Sequence, residues 1–279
     1  MKTVPIRNVL LLLAVTLVVA VGALVGILLL SAPASDQRSV VGPEVEDDED
    51  FGTVEIYDVL TDGTLDPAAS GLTQTVWDTF VRVVTPDFAS EVMSQYRVGD
   101  APKSDTLAYV YQDDNPDFWI LAANLATSED EADLVATLVH EYAHILTLTA
   151  TEMDALAPVC HTIDLSEGCA RDDSYLLAFD QQFWSGYDST APTPDNADGD
   201  IAYDFYLDHE DDFVSDYAAT NVVEDIAECF SAFVLEDRPD AGAATVTAAK
   251  LEFFWQYPEL EAIRERIRAE FAGDLGLAG

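Results

Sequence analysis

The sequence is very poor in positive charge. It has 12 Lys and Arg against 53 Asp and Glu, a formal net charge of −41 at pH 7, and lysine occurs only at Lys2, Lys103 and Lys250. So negative a surface repels nucleic acid and anionic membrane surfaces, which excludes both as partners. Salt screens such a surface, since the Debye length falls to about 3 Å at 1 M. We therefore expect a halophilic source.

Cysteine is also scarce, and the three cysteines divide unevenly. Cys160 and Cys169 bracket a short polar loop. In an exported protein such a pair is more often a disulfide than a metal site. Cys229 falls in register with apolar residues of a predicted helix, so we interpret it as a small buried hydrophobe rather than a nucleophile.

Only four histidines occur, and two of them stand in one turn, His140-Glu141-Tyr142-Ala143-His144. On a helix, residues four apart share a face, so both imidazoles can bind one zinc ion while Glu141 reaches a water in an open position. The alternative is that His140 and His144 are core residues bonded to carbonyl groups. The pattern favours a zinc-dependent hydrolase.

The residues around this motif predict a helix from about Glu129 to about Thr149. Ser128 and Glu131 form a capping-box pattern, and apolar residues then recur at helical spacing. The second half of the helix is apolar nearly all round, which predicts burial. Buried His and Glu side chains need partners, and a metal ion would supply one.

Near the amino terminus, Lys2 and Arg7 are followed by an uncharged apolar run, Val9–Leu30. About 20 apolar residues span a bilayer, so residues 1–30 are predicted to be a transmembrane anchor or signal segment. We favour the anchor, with the remainder of the chain extracellular at the cell membrane. Cleavage at Ala32-Pro33-Ala34 would instead release a secreted protein.

Residues 31–51 are rich in Pro, Ser and acids and are predicted to form a flexible acidic tether. Residues 52–279 then form one domain. Within it, Thr106–Tyr111 and Phe118–Ala122 are predicted to be strands of a hairpin. The second of these strands enters the metal helix and is a candidate for pairing with an extended peptide.

Helices are predicted elsewhere in this domain. The segment Leu72–Val98 is expected to be helical, divided at Pro86, and residues 241–272 are expected to form two helices broken at Tyr257-Pro258. The arginines of the tail are interpreted as ion-pairing partners: Arg264, Arg266 and Arg268. The predicted fold class is α+β, with a small sheet against the metal helix and a mainly helical second half.

A further helix is predicted after Asn221, a plausible N-cap. Its residues Glu224 and Glu228 fall on one face among apolar residues, where acids are rare unless paired. The two-histidine site lacks a third protein ligand. Spacing permits either glutamate to reach the metal, and we take Glu224.

These residues carry a resemblance to a known family. The motif His140-Glu141-x-x-His144 followed by Glu224 resembles the gluzincin zinc metallopeptidases, and Tyr217 and Glu228 extend the similarity to the catalytic domain of anthrax lethal factor and its relatives. The resemblance implies a zincin-like domain in which Tyr217 stabilises the oxyanion. It also implies that Glu228 supports the metal ligands, and we predict the same role for Asp225.

The expected function is that of a membrane-anchored, extracytoplasmic zinc endopeptidase acting on a peptide or protein substrate. Zinc would be held by His140, His144 and Glu224, and Glu141 would be the general base. The alternative is a non-catalytic surface interaction protein with a structural or vestigial zinc site. A structural site normally closes with four protein ligands and needs no general base.

Overall fold

The computed structural model describes residues 42–187, 189–240 and 242–276. A small sheet occupies the amino-terminal half and helices fill the carboxyl-terminal half, which confirms the predicted mixture of α and β structure. The predicted membrane segment, 1–30, lies outside the described residues. Among the residues described, no helix is both long enough and apolar enough to cross a bilayer.

The main sheet of the described residues has six strands. Across the sheet the strands are β1 (Glu44–Asp48), β2 (Gly52–Val59), β4 (Met93–Gly99), β6 (Trp119–Asn124) and β5 (Ala108–Gln112), with β3 (Leu65–Asp66) beside β2. Strands β4 and β6 are parallel, and the other neighbours are antiparallel. The predicted hairpin is confirmed as β5 and β6.

Helices cover one face of this sheet and build the rest of the domain. They are α1 (Gly71–Val84), α2 (Pro86–Val92), α3 (Glu131–Leu148), α4 (Tyr175–Phe179), α5 (Gly199–Asp208), α6 (Val222–Leu235), α7 (Val246–Phe254), α8 (Pro258–Glu270) and α9 (Ala272–Leu275). A π-helical turn, Asp180–Trp184, extends α4. A small second sheet follows α3, in the order β7 (Met153–Asp154), β9 (Gly168–Ala170) and β8 (Asp164–Leu165).

One continuous apolar core joins the sheet to α3 and α6. Leu121 of β6, Leu138 of α3 and Ile226 of α6 are all fully buried within it. Because α3 lies between the sheet and α6, its side chains are enclosed on both sides. The core therefore fixes α3 and α6 against each other, and this contact positions the candidate site.

The predicted tether ends earlier than expected. Glu44–Asp48 pairs with β2 along its whole length, and Phe51 is only 2% exposed. A Cβ atom on Gly99 of β4 would stand 2.5 Å from the Cβ of Phe51, so only glycine leaves room for Phe51 at this point. Backbone pairing and one buried ring thus order a segment whose composition alone predicts disorder.

Two local predictions are corrected by the same structure. Met93–Gly99 is a strand rather than the end of a helix, because it pairs between β2 and β6. Helix α3 is capped by Asp130, whose carboxylate accepts from the backbone amides of Ala132 and Asp133. Ser128 instead donates to the carbonyl of Asn124, so the predicted capping box does not form.

The arginines of α8 act mainly on helix ends rather than as ion pairs. Arg264 and Arg268 donate to the carbonyl of Val234 at the end of α6. Arg266 donates to Arg82 and Val83 at the end of α1. Of the three, Arg268 also has the predicted acidic partner, Asp237 at 3.2 Å. Cations placed at these carbonyls complement the negative ends of both helices.

Candidate metal centre

Helix α3 presents His140, Glu141 and His144 toward α6. His140 and Glu141 are each 4% exposed, while the His144 side chain is 13% exposed and gives the site its contact with solvent. The spacing of four residues brings the two imidazole rings to a centroid distance of 4.7 Å. The predicted pair therefore shares one face of the helix.

Helix α6 brings the predicted third ligand to the same place. Asn221 caps this helix by accepting from the amides of Val223 and Glu224, which confirms the predicted N-cap. The cap fixes the first turn, and Glu224 projects from it toward α3. Its Oε2 atom lies 3.2 Å from Nε2 of His140 and 3.3 Å from Nε2 of His144.

The three ligand atoms form a nearly equilateral triangle. The two histidine Nε2 atoms are 3.0 Å apart, which completes sides of 3.0, 3.2 and 3.3 Å. Ligands of a tetrahedral zinc ion, each about 2.0–2.1 Å from the metal, stand about 3.3 Å from one another. Among the described residues, His140, His144 and Glu224 thus form a group that could hold a metal ion.

The electrostatics of the cluster also favour a cation. Oε2 of Glu224 is buried without a well-aligned hydrogen bond. Burial would lower the pKa of His140, but Glu224 and Glu228 raise it well above its ordinary value. Burial would raise the pKa of Glu224, yet His144 and His140 hold it well below its ordinary value. The carboxylates therefore select for positive charge at this point.

Glu141 lies between the ligand triangle and the edge strand β5. The backbone amide of Val110 in β5 donates to its carboxylate. Burial raises the pKa of Glu141 to about 7, against the opposing charges of His140 and His144. A carboxylate with a pKa near neutrality can accept a proton and return it at physiological pH.

Tyr217 lies next to His140 and Glu224. It begins a single 3₁₀ turn, Tyr217–Ala219, and its hydroxyl hydrogen-bonds the Glu224 carboxylate. Burial, together with the charges of Glu224 and Glu141, raises its pKa well above the ordinary value, so the hydroxyl stays protonated. The ring centroid of Tyr217 lies 5.9 Å from that of His140.

Glu228 contacts the imidazole of His140 on the side away from the ligand triangle. Its Oε1 atom lies 2.8 Å from Nδ1 of His140. Its Oε2 atom accepts a 2.6 Å hydrogen bond from Ser215. Ser215 was not predicted, because a serine in an irregular segment gives no periodic signal.

Asp225 does not support the metal ligands as predicted. Its Oδ2 atom lies 2.7 Å from Nζ of Lys250, and the indole of Trp184 donates to the same oxygen at 2.7 Å. Both charged side chains are fully buried. One residue along a helix rotates a side chain by about 100°. Asp225 consequently faces α7, whereas Glu224 faces α3.

The cysteines are arranged as predicted. Cys160 and Cys169 are joined, with an S–S distance of 2.04 Å, next to the small second sheet. Cys229 is free and buried in α6, and its thiol donates to Asp225. Burial, with the charge of Asp225, raises the pKa of Cys229 well above its ordinary value, which suppresses the reactive thiolate.

The predicted peptide-pairing strand is corrected by the sheet order. The strand that enters α3 is β6, which lies between β4 and β5 and has no free edge. Strand β5 is the edge beside Glu141.

Comparison with known proteins found no match to a family model, to a curated protein or to a solved structure.

Proposed function

We propose that this chain is a zinc-dependent endopeptidase. The observation that carries the proposal is the convergence of His140, His144 and Glu224 with Glu141 and Tyr217 directly beside them. Zinc is the metal that best suits two imidazoles and one carboxylate with a further position left for water. The resemblance to the gluzincin and lethal-factor domains points to the same chemistry.

Each residue then has a defined task. Zinc held by His140, His144 and Glu224 would supply Lewis acidity toward a water and the scissile carbonyl. Glu141 is the residue that would accept a proton from the attacking water and pass it to the departing amine. Tyr217 remains a hydrogen-bond donor across the working pH range, and its hydroxyl stabilises the developing oxyanion. Glu228 holds His140 in the tautomer that leaves Nε2 free for the metal.

The substrate is proposed to bind along β5. Within the described residues, this strand pairs with β6 alone, so its outer edge is open to an extended peptide except at the Val110 amide, which donates to Glu141. The amide of Val110 points from that edge toward Glu141. A peptide lying alongside Ala108–Gln112 would therefore pass directly in front of the general base.

A purely structural zinc site is less well supported. Structural sites close with four protein ligands, and the described residues provide three at this point. Glu141 is also buried here with a pKa raised by that burial. A structural site has no use for such a carboxylate, and an inert helix would be more stable without it.

We further propose that the domain acts outside the cytoplasm, tethered by its amino-terminal apolar segment. The Cys160–Cys169 disulfide is consistent with an oxidising compartment. The net charge of −41 suits a saline medium. The anchor itself remains a prediction from the sequence.

Metal analysis and peptide cleavage test the proposal together. The full chain, purified at high salt without chelators, is expected to contain about one zinc per molecule. It should cleave members of a peptide library, and a chelator should abolish cleavage until zinc is restored. A protein devoid of transition metal, or cleavage that resists the chelator, would contradict the proposal.

A further inference from the structure

Ser215 joins two parts of the site that are otherwise separate. Its hydroxyl donates to Oε2 of Glu228 at 2.6 Å and accepts from the backbone amide of Ala218 at 3.1 Å. Ser215 is 9% exposed and Glu228 is 3% exposed, so both hydrogen bonds are largely shielded from water. A hydroxyl can donate one bond and accept others, and this one does both.

The bond to Glu228 limits how that carboxylate can turn. Each of its oxygens has one partner, His140 Nδ1 at 2.8 Å and the Ser215 hydroxyl at 2.6 Å. Removing the serine would leave a buried oxygen without a donor, which favours rotation of the Glu228 carboxylate. That rotation weakens the contact that orients His140.

The bond from Ala218 fixes the turn that carries Tyr217. That amide belongs to the 3₁₀ turn Tyr217–Ala219, and Ser215 precedes this turn by two residues. A second anchor lies at the far end, where Asn196 donates to the carbonyl of Thr220 at 2.9 Å. The turn is thus held at both ends. At its first end Ser215 acts together with Asp216, whose carboxylate accepts from the amide of Tyr217 at 3.0 Å.

We propose that Ser215 is a positioning residue that sets the orientation of His140, through Glu228, and the placement of Tyr217 at the same time. This inference rests on the proposed function, because it assigns a role within the same metal centre. Residues behind a metal ligand typically change metal affinity or activity by about 10–100-fold when removed. Ser215 acts on His140 only through Glu228. We therefore expect its removal to weaken zinc binding about tenfold, the lower end of that range.

Zinc affinity of the full chain, measured by competition with a chromophoric chelator, tests the proposal. Ser215→Ala is expected to weaken zinc binding about tenfold. Ser215→Thr retains the hydroxyl and is expected to bind more tightly than Ser215→Ala, although it adds a buried methyl group. Should Ser215→Ala fail to fold, Ser215→Cys has nearly the size of serine but a weak donor, and it carries the same expectation.

Ser231 provides a matched control. It lies on α6, is 6% exposed and donates one hydrogen bond, to the carbonyl of Ala136 on α3. Ser231→Ala removes a comparable buried hydroxyl, which lies one helical turn after Glu228 but bonds to Ala136 and not to Glu228, and should leave zinc affinity unchanged. Thermal unfolding of each metal-free variant separates loss of fold from loss of affinity.

The outcomes separate this inference from the proposed function. If the parent chain binds zinc and cleaves peptides while Ser215→Ala keeps full affinity, the role of Ser215 is refuted and the peptidase proposal stands. Weaker binding by Ser215→Thr than by Ser215→Ala would show that packing alone matters, which also refutes it. A parent chain that binds no zinc would overturn both.

Discussion

Helix α6 has two buried acidic faces that differ in how their charge is neutralised. Toward α7, Asp225 meets the ammonium of Lys250 at 2.7 Å and the indole of Trp184. Toward α3, Glu224 and Glu228 meet the two imidazole rings of His140 and His144. Lysine offers an ammonium group, whereas an imidazole is a cation only when protonated and must release that proton to bind a metal through the same nitrogen.

We call these two sides of α6, together with the residues that they contact, the α7 face and the α3 face; the second carries the proposed metal centre. A buried carboxylate beside a buried lysine is already compensated, so the α7 face needs no further partner. The α3 face has Glu141, Glu224 and Glu228 around two imidazoles, so its positive charge comes either from a proton on His140, whose pKa these carboxylates raise, or from a bound cation. Changes on the α3 face should therefore alter metal binding and turnover, and changes on the α7 face should alter folding.

The largest effect is expected on the α3 face, at Glu141. Glu141→Gln keeps the size of the side chain but cannot accept a proton, so turnover should fall by about 10²–10⁴-fold. Zinc content should remain at the parent level, as measured by elemental analysis. Glu91→Gln, at an exposed position, is the control. Undiminished turnover would assign the general base elsewhere.

The next effect belongs to the α7 face. Lys250→Met leaves Asp225 buried without its cation, which should lower the free energy of unfolding by about 3–5 kcal/mol. Denaturant titration measures this change, and Lys103→Met at an exposed position should give almost none. Adding Asp225→Leu should restore part of the loss. If Lys250→Met abolished zinc binding while the protein stayed folded, the two faces would not be independent.

Tyr217 tests whether its hydroxyl acts on the reaction or only on Glu224. Tyr217→Phe removes one donor to the oxyanion, and such a loss typically slows turnover by about 10²–10³-fold. The phenyl ring preserves packing against His140, so zinc affinity should be unchanged in the chelator assay. A matching loss of zinc affinity would indicate that the hydroxyl serves the metal ligand instead.

Glu224 and Glu228 separate direct ligation from support within the α3 face. Glu228→Ala should weaken zinc binding by about 10–100-fold, as expected for a partner behind a ligand. Glu224→Ala removes a coordinating oxygen and should weaken binding further. Zinc titration of both variants decides the assignment. It is reversed if Glu228→Ala loses the metal and Glu224→Ala retains it.

Local sequence patterns predicted most of the α3 face. The His140–His144 spacing, the Asn221 cap and the position of Glu224 all follow from helical periodicity, which is a short-range property. The hairpin and the two tail helices were predicted for the same reason. Local patterns did not predict strand β4 or the ordered segment before Phe51, because the conformations of both depend on pairing with distant strands.

The contacts missed from the sequence join residues that are far apart along the chain. Lys250 meets Asp225 from another helix, and Ser215 reaches Glu228 from an irregular segment. Neither Lys250 nor Ser215 belongs to a periodic pattern or a sequence motif that would predict its contact. Asp225 adjoins Glu224 in sequence, but the two side chains point about 100° apart around α6. On α6 these two neighbours therefore contact different helices.

The smallest effect is expected at Cys229, which lies on the α7 face beside Asp225. Cys229→Ala removes one buried sulfur and its bond to Asp225, so the free energy of unfolding should fall by about 1–2 kcal/mol, with zinc affinity unchanged. The native protein should resist thiol reagents because the thiol is buried. Unfolding without reductant should expose one reactive thiol per chain. Three would show that Cys160 and Cys169 are unpaired, and a loss of zinc in Cys229→Ala would place this residue on the α3 face.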